Sequence, residues 1–384
     1  MASIPSINKS YIQWPDNLND VGVTEENKAI IDHVLNTFYT RVENGENITA
    51  DFLKTDEKER FFQIIDLSTQ TEEVLEKYPI PLSLDLRFDE AKIILIGKNI
   101  IGEGVERKVK AAHDLFNGIP FVKKEINQEN ELEIYELIQN KPSPGLPKNF
   151  CFRGQGTAKL QVLEERLTGP LYVALQRHIF RTDTLKLNAI KELAQGLHTL
   201  HHFKLKNNAP CSHCDIKIEN ILFNDDGSVQ WTDFGYSGQV EQLVGSPSYQ
   251  SPEHVAMKVK VFPNGIEDNG TVTAEEIATY CKTYGQPVDI WAFGIVLLSI
   301  LKNADVYCLD LIDEAMKQSE SHPYHKDFEI QFLKQEDIAA EIAAWKSKSS
   351  PIKQALLDIA EKMLQVDPEQ RINIDDVLDL LSQI

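Results

Sequence analysis

The sequence lacks any apolar run of the roughly 20 residues that a membrane-spanning helix needs. Its most apolar stretch, residues 290–301, is too short and contains polar breaks. Residues 1–16 are polar, without the charged and then apolar pattern of a secretory signal. Internal repeats and low-complexity tracts are missing too. We therefore expect a globular protein without a transmembrane segment.

Basic residues and cysteines are both scarce. The chain has 39 Lys and Arg residues against 59 Asp and Glu residues, which gives a net charge of −20. Attraction to nucleic acid or to an anionic membrane is therefore disfavoured. The five cysteines are an odd number in a large chain, which favours reduced thiols. We expect a cytoplasmic protein that does not bind nucleic acid.

The first 90 residues have helical patterns. Thr24 can cap a helix whose apolar positions recur every 3.6 residues as far as Gly45. A second helix is predicted over residues 56–78, and Pro79 and Pro81 then break the pattern. Residues 1–90 are thus predicted to form a helical N-terminal extension, either a packing subdomain or a regulatory, partner-binding segment.

Short strands replace this pattern from about residue 91. Strands come first and helices dominate later, apart from two short strands before Asp233. This order predicts an α+β fold with a small antiparallel sheet lobe over residues 91–164, a larger helical lobe over 165–384 and a cleft between them. The predicted strands are 93–101, 108–113, 120–126, 150–152, 159–164, 221–223 and 229–232, and the predicted helices include 128–139, 184–201 and 273–284.

Two features of the sheet region could contact phosphate. Gly102 and Gly104 lie at a strand-to-strand turn, where backbone N–H groups can approach an anion closely. Lys123 lies on a following strand and could hold phosphates as a point charge. Glu133, on the next helix, is its expected partner, with Glu131 as the alternative. Taken singly, these features also fit a structural turn and a surface lysine.

A set of polar residues around two short strands carries the strongest signal. Asp215 can orient an attacking hydroxyl and accept its proton, and Lys217 can neutralise charge on a transferring phosphoryl group. Asn220 and Asp233 offer hard oxygen ligands for Mg²⁺. The hairpin spacing places Asn220 and Asp233 at the same end of two paired strands. Together these residues predict phosphoryl-transfer chemistry.

Two other groups contain residue types that can bind metal. Cys211 and Cys214 have C-x-x-C spacing, but no second cysteine pair completes a structural zinc site. We interpret that spacing as a coincidence. His198, His201 and His202 lie at the end of a predicted helix and are interpreted as local packing or solvated surface.

These segments resemble the motif set of eukaryotic-type serine/threonine protein kinases, whose catalytic loop reads H-R-D-x-x-x-x-N and whose metal motif reads D-F-G. The resemblance covers about residues 92–384. It implies a bilobal kinase fold and an ion pair between Glu253 and Arg371. The matching segments are His213–Asn220, Asp233–Gly235, Gly245–Glu253, Asp289–Gly294 and Met363–Arg371.

The resemblance also implies the cofactors and the role of each site residue. ATP would bind with Mg²⁺, or Mn²⁺ in its place, and Asp215 would be the catalytic base with Lys217 beside the γ-phosphate. Lys123 would contact the α- and β-phosphates and pair with Glu133, and Asn220 and Asp233 would bind metal. The nucleotide would also bind to two further groups of residues. The first is Gly102, Gly104 and Val109, and the second is Leu163, Glu164 and Arg166 from the hinge between the lobes.

Three departures from the family pattern bear on regulation. Cys214 replaces the arginine that commonly meets an activation-segment phosphate, so we expect activity without phosphorylation of that segment. Arg107 replaces the third glycine of the phosphate loop and should stiffen it. The stretch 254–286 is longer than the family pattern and is interpreted either as a substrate or partner surface or as an insertion that covers the lobe without such contacts.

The function expected from the sequence is transfer of the ATP γ-phosphoryl group to serine or threonine of a protein substrate. A pseudokinase or nucleotide-binding scaffold is one alternative, and a small-molecule kinase on a related fold is another. An N-terminal segment without a family match and a short activation segment would suit a bacterial effector acting in a host cytosol. A regulatory partner would bind residues 1–90 or 254–286.

Overall fold

The computed structural model describes residues 63–66, 93–103, 108–114, 119–126, 128–153, 160–206, 208–238, 243–264, 272–304, 309–322 and 325–384. The chain divides into two compact units. The first contains residues up to Asn140 and then Lys148–Arg166, and the second contains Lys141–Pro147 and Leu167–Ile384. Most of the predicted N-terminal extension, residues 1–62 and 67–90, lies outside the described residues.

The first unit is built on a six-stranded antiparallel sheet. In the order β1-β2-β3-β4-β6-β5, each strand is hydrogen-bonded to its neighbours. At the centre of the sheet, consecutive residues of β3, β4 and β6 are buried, among them Ala111, Phe121, Val122 and Val162. Successive side chains of a strand point to opposite faces, so both faces of the sheet are covered there. The strands are β1 (Gln63–Asp66), β2 (Ile93–Glu103), β3 (Lys108–Asp114), β4 (Pro120–Ile126), β5 (Asn149–Arg153) and β6 (Leu160–Glu165).

The prediction of a helix over residues 56–78 is wrong for Gln63–Asp66, which form the strand β1. Gln63–Asp66 pairs with β2 from Gln63↔Ile96 to Asp66↔Ile93. The apolar residues of this segment fit a helical period, but pairing with a neighbouring strand satisfies the backbone groups that the helix would have used. Two adjacent β-branched residues, Ile64 and Ile65, also favour the extended form.

One helix, α1 (Glu129–Asn140), packs against β5 and β4 of the sheet. Ile134, Tyr135 and Ile138 form its buried side, with helical spacing. The amide nitrogen of Asn149 at the start of β5 donates to the carbonyl oxygen of Tyr135 at 3.0 Å. This contact fixes the helix beside the strand.

The second unit is mostly helical and contains a small three-stranded sheet, β7-β8-β9. The pairing Ile221↔Trp231 aligns its central hairpin. The strands are β7 (Gly169–Pro170), β8 (Ile221–Phe223) and β9 (Val229–Trp231), and the helices are α2 (Leu171–Gln176), α3 (Asp183–His201), α4 (Pro252–Val261), α5 (Ala274–Lys302), α6 (Asp310–Ser319), α7 (Gln335–Lys346), α8 (Pro351–Met363) and α9 (Ile374–Ser382).

Helix α5 is the core of the second unit. Thr273 and Glu276 form a capping box at its start, and Asn303 ends it in a left-handed conformation. Among the described residues it is the one helix long and apolar enough to cross a membrane, by length and composition alone, but 72% of its most apolar window is buried in the protein. Such burial is typical of a helix in the core of its unit.

The sheet-then-helices order is confirmed, with a small antiparallel sheet followed by a helical part. Predicted strands 120–126 and 221–223 agree with β4 and β8 at both ends. The helix predicted over 273–284 is longer than expected, because it continues without a break through Pro287 into the buried segment that begins at Asp289.

Candidate active site

A buried carboxylate positions the loop that precedes β8. Asp289 on α5, 1% exposed, accepts hydrogen bonds from the backbone N–H groups of His213 at 2.6 Å and Cys214 at 2.9 Å. Nε2 of His201, at the end of α3, lies 2.9 Å from Oδ2 of Asp289. Charge-assisted hydrogen bonds of this kind are stronger than neutral ones. They hold Cys214 in the left-handed region, with φ 67°, immediately before Asp215.

Asp215 is the centre of a hydrogen-bonded group. Its side chain is buried, and Oδ2 accepts from Nζ of Lys217 at 2.8 Å and from Nδ2 of Asn220 at 2.9 Å. The same amide nitrogen also donates to the carbonyl oxygen of Asp215 at 2.9 Å. The structure thus brings together three residues that the sequence singled out.

Ser246 is a fourth member of this group, and the sequence did not predict it as a site residue. Its Oγ donates to Oδ1 of Asp215 at 3.1 Å and accepts from Nζ of Lys217 at 3.0 Å. The signal was present in the resemblance, because Gly245-Ser246 opens the loop that ends at Glu253. A hydroxyl that donates to Asp215 shows that this carboxylate can receive a hydrogen bond from an alcohol.

The hairpin of β8 and β9 places the two proposed metal ligands. The N–H of Thr232 donates to the carbonyl oxygen of Asn220 at 2.9 Å, which continues the pairing of the two strands. Asp233 follows directly, with φ 61° and an exposed side chain, while Phe234 is buried. Asn220 and Asp233 therefore lie at the same end of the hairpin. An amide and a carboxylate are a donor set that fits Mg²⁺.

The segment from Asp233 to Glu253 corresponds to the activation segment of the family pattern. Neutral hydrogen bonds join residues near each of its ends to the catalytic loop. Near its start, Ser237 Oγ donates to the carbonyl oxygen of His213 at 3.2 Å, and Gly238 N–H donates to that of Ser212 at 2.9 Å. Near its end, the N–H of Ile218 donates to the hydroxyl of Tyr249 at 3.3 Å. The segment is thus held at both described ends.

In the first unit, Gly102 and Lys123 lie on β2 and β4, which are separated in the sheet by β3. Gly102 on β2 pairs with Val109 on β3, whereas Gly104 and Arg107 lie outside the described residues. Lys123, 6% exposed, is in the middle of β4, directly across from the fully buried Leu163 of β6. The lysine is thus a core position of the sheet and not a surface charge.

The two candidate partners of Lys123 differ in burial. Glu131 on α1 is 0% exposed, and Glu133 is half-buried. Burying a carboxylate is costly unless a cation compensates it. Burial therefore favours the alternative partner, Glu131, over Glu133, which was the first expectation.

The predicted hinge residues are engaged within the first unit. The buried carboxylate of Glu164 accepts from Nζ of Lys124 at 2.9 and 2.8 Å. The N–H of Arg166 donates to the carbonyl oxygen of Pro120 at 2.8 Å, and the N–H of Glu165 donates to the carbonyl oxygen of Lys148 at 3.0 Å. Adenine could use the N–H of Arg166 only in place of this bond. The adenine-reading role of these residues stays a prediction.

The surroundings of Cys211 and Cys214 are those of packed side chains and not those of a metal site. The Cys214 sulfur lies 3.1 Å from Ser212 Oγ, and burial raises the pKa of the Cys214 thiol well above its usual range. A buried thiol with a raised pKa is a poor nucleophile and a poor metal ligand. Within the part of the chain that the structure describes, neither Cys211 nor Cys214 belongs to a cluster with metal-binding geometry.

Comparison with known proteins agrees with this geometry. Residues 96–380 match the model of the protein kinase domain family. Serine/threonine-protein kinase STE20 of Eremothecium gossypii is 26% identical over 54% of this chain and 20% of its own length, and CST20 of Candida albicans is 28% identical over 54% and 16%. The human phosphorylase b kinase gamma catalytic chain, liver/testis isoform, is 23% identical over 73% of this chain and 64% of its own length.

The chain thus spans about a fifth or less of the two fungal relatives. The family match covers most of the chain and all of the motifs around Asp215, Asp233, Glu253 and Arg371. The ion pair between Glu253 and Arg371 that the motifs implied is present in the structure. The chain belongs to the protein kinase family.

Proposed function

We propose that this protein transfers the γ-phosphoryl group of ATP to a serine or threonine hydroxyl of a protein substrate. The observation that carries the proposal is the group around Asp215, whose carboxylate already accepts a hydrogen bond from an alcohol, Ser246. Lys217 contacts both the carboxylate and that alcohol. A substrate hydroxyl needs the same two neighbours, a base and a cation.

In the proposed reaction the substrate hydroxyl oxygen attacks the γ-phosphorus, and the bond from that phosphorus to the bridging oxygen of ADP breaks. Asp215 orients the hydroxyl and takes its proton, and Lys217 neutralises charge on the transferring group. Asn220 and Asp233 would hold the metal. Mg²⁺, when bound, neutralises charge on the phosphates.

The preference for serine or threonine has two supports. Lys217 stands two residues after Asp215, as in the serine/threonine members that the motifs resemble. STE20 and CST20, to which 54% of this chain is similar, are named as serine/threonine-protein kinases. The loop Gly245–Glu253 favours a protein over a small molecule as substrate.

We propose that Glu131 takes the role of partner to Lys123 that the first expectation gave to Glu133. Both Lys123 and Glu131 are buried in the first unit, on β4 and α1, which pack together. A cation and an anion that are both removed from water stabilise the unit only when each compensates the other. This pairing would fix the lysine for the α- and β-phosphates.

We also propose that the enzyme works without phosphorylation of its activation segment. Cys214 occupies the position of the phosphate-binding arginine, and the described ends of the segment are held by neutral hydrogen bonds. Of the hydroxyls in the described parts of this segment, that of Ser237 is fully buried and that of Ser246 contacts Asp215. Neither hydroxyl is open to another kinase while these contacts persist.

The experiment is transfer of labelled phosphate from ATP to generic protein substrates and to the protein itself. Wild type, fully dephosphorylated with a phosphatase, should label serine and threonine, and Asp215→Asn and Asp233→Ala should not. Asp226→Asn, in an exposed turn, is the matched control. Mg-ATP at about a hundred times its dissociation constant should stabilise Asp215→Asn by ~2.7 kcal/mol, as it does wild type.

The outcomes separate the alternatives. Stabilisation by Mg-ATP without any transfer indicates a nucleotide-binding pseudokinase. Hydrolysis or transfer to small alcohols but not to proteins indicates a small-molecule kinase. Activity that appears only after phosphorylation of Ser246 or Ser248 contradicts the proposed independence from phosphorylation while leaving the kinase assignment intact.

The compartment and the partners also remain proposals. We propose a cytoplasmic protein, on the basis of its odd cysteine number and acidic charge, and cell fractionation tests this. The surface over residues 254–286 includes α4 after Glu253 and the first half of α5. Deleting residues 265–271, a part of this stretch whose sequence contains the turn signal Asn269-Gly270, should change protein phosphorylation but not Mg-ATP binding if the stretch docks a substrate or regulator.

A further inference from the structure

Two histidines and an aspartate meet where the end of α3 contacts the start of α9. Nε2 of His198 lies 2.9 Å from Oδ1 of Asp375, and Nε2 of His202 lies 3.7 Å from Oδ2 of the same carboxylate. The two imidazole rings are 4.3 Å apart between centroids. All three ligand atoms lie within 4.8 Å of one another, so one ion could contact them together.

The histidine spacing follows from the helix. His198 is in the last turn of α3 and His202 is its C-cap, so the pair has the i, i+4 relation that puts two side chains on one face. Asp375 is in the first turn of α9, which begins after a capping box at Asn373. The three residues thus come from two packed elements whose backbones are fixed by the fold and not by the side chains themselves.

The tautomer of His202 leaves one ring nitrogen free to coordinate a metal ion. Its Nδ1 lies 2.8 Å from the carbonyl oxygen of His198, and since a carbonyl can only accept, Nδ1 carries the hydrogen. In the neutral ring, Nε2 then holds the lone pair, and Nε2 is the atom that faces Asp375. A hydrogen bond from the second ring nitrogen to a backbone carbonyl is the usual support for a metal-bound histidine.

The helix ends also fit a cation held by a carboxylate. The last carbonyls of α3 give its C-terminus a partial negative charge, which favours a positive ion beside His198 and His202. The N-terminus of α9 favours the negative charge of Asp375. The rings are 34% and 46% exposed and the carboxylate 56% exposed, so an ion can enter from solvent and keep a water ligand.

We propose that His198, His202 and Asp375 form a binding site for a zinc-type divalent cation that joins the end of α3 to the start of α9. Two imidazoles and one carboxylate are a common protein ligand set for Zn²⁺, with water in the remaining position. Bonds of about 2.0–2.2 Å separate tetrahedral ligand atoms by about 3.3–3.6 Å. The present spacings from the carboxylate to the two imidazoles, 2.9 and 3.7 Å, lie on either side of that range, and side-chain rotation can bring the three ligand atoms to it.

The test uses the full chain, stripped of metal with a chelator and kept in excess Mg²⁺ so that Asn220 and Asp233 are occupied or masked. Zn²⁺ is titrated by calorimetry, and Co²⁺ is titrated by visible absorption, which distinguishes a tetrahedral nitrogen and oxygen site from six-coordinate oxygen sites. Wild type should bind one equivalent with a tetrahedral Co²⁺ spectrum. Zn²⁺ should also raise the Tm of wild type, since a ligand bound only by the folded state stabilises it.

Three ligand variants and two matched controls make the assignment. His198→Gln/His202→Gln should lose the tetrahedral spectrum and the Zn²⁺-dependent rise in Tm, and Asp375→Asn should weaken Zn²⁺ binding at least about tenfold, the scale expected when a supporting or weaker ligand is lost. His202→Gln alone covers the case in which the double variant fails to fold, since its ring is 46% exposed. His178→Gln and Asp379→Asn remove an exposed histidine and an exposed carboxylate of α9 outside the cluster, and should bind as wild type does.

The opposite result is equally clear. If wild type binds no Zn²⁺ at micromolar concentrations, or if the His198→Gln/His202→Gln variant binds it with unchanged affinity and spectrum, the three residues are only an ion pair between helices and the proposal is wrong. Because none of them belongs to the proposed catalytic group, these outcomes do not depend on whether the protein transfers phosphate.

Discussion

The guanidinium of Arg371 and the carboxylate of Glu253 form a two-pronged ion pair, with Nη1 2.8 Å from Oε1 and Nη2 3.1 Å from Oε2. The arginine side chain is fully buried, and it also donates to the backbone oxygens of Pro287 at 2.7 Å and Gln365 at 2.7 and 3.1 Å. One side chain thus joins the start of α4, the proline turn of α5 and the segment before α9.

We expect Arg371→Lys to lower the free energy of unfolding by about 3 kcal/mol, because an ammonium cannot make the paired contacts of the planar group. Denaturant unfolding monitored by fluorescence measures this. Lys317→Met, which removes an exposed ion pair with Asp313, is the control and should cost about 0.5 kcal/mol or less. Equal losses of unfolding free energy for the two variants would show that the buried ion pair contributes no more to stability than the exposed one.

Asp289→Asn should destabilise the catalytic loop. The amide that replaces the carboxylate can accept through one oxygen only, so at least one of the N–H groups of His213 and Cys214 loses its partner. A buried donor left unpaired costs about 1–3 kcal/mol. Hydrogen exchange of these two amides should become faster. Unchanged protection would mean that the loop is held by its other contacts.

Glu131→Gln should reduce phosphoryl transfer much more than Glu133→Gln. Losing one charge-assisted hydrogen bond of about 1.5–3 kcal/mol to Lys123 corresponds to about 10–150-fold in rate. The measurement is kcat/KM for ATP, with the Mg-ATP-induced shift in Tm as a second readout. The reverse order of the two variants would restore Glu133 as the partner of the lysine.

The stability of the protein should fall with acid in part through His254. This residue of α4 is buried next to a cavity of about 20 Å³ lined by Cys214, Tyr280 and Cys281, and burial lowers the pKa of His254 to about 4. In the unfolded chain the pKa is near 6.5, so between pH 6.5 and 4 the unfolded state binds more protons. Stability is therefore fully present above pH 6.5 and is lost as pH falls.

The expected slope in that window is about 1.4 kcal/mol per pH unit at most. His254→Gln should flatten the pH dependence of the free energy of unfolding relative to wild type, and His178→Gln, at an exposed position, should not. Parallel pH curves for wild type and His254→Gln would show that this histidine does not titrate differently in the two states.

Local sequence patterns predicted the elements whose signals are local. β4, β8 and the catalytic-loop residues Asp215, Lys217 and Asn220 lie where the pattern and the resemblance placed them. The strand Gln63–Asp66 could not be predicted, because its partner β2 begins 27 residues later and a helical period fits the same apolar residues. Pairing over that distance leaves no trace in a short window.

The single long α5 was missed for a different reason. The sequence pattern predicted a helix over residues 273–284 only, and a proline inside a helix, such as Pro287, removes an N–H group and usually interrupts the helix. The structure keeps the helix continuous, and the carbonyl oxygen of Pro287 is bound by Arg371, 84 residues away. The contribution of Ser246 was missed similarly, since its two contacts reach back about 30 residues to Asp215 and Lys217.

The neutral bonds that hold the activation segment have a consequence for its response to salt. Exposed charge pairs weaken as ionic strength rises, over a screening length of about 8 Å at 0.15 M salt. The bonds from Ser237 to His213 and from Ile218 to Tyr249 carry no net charge and lie in buried surroundings. These two contacts should therefore persist across the range of ionic strengths found in different cells, and control of such an enzyme would fall to its amount, its location and its partners.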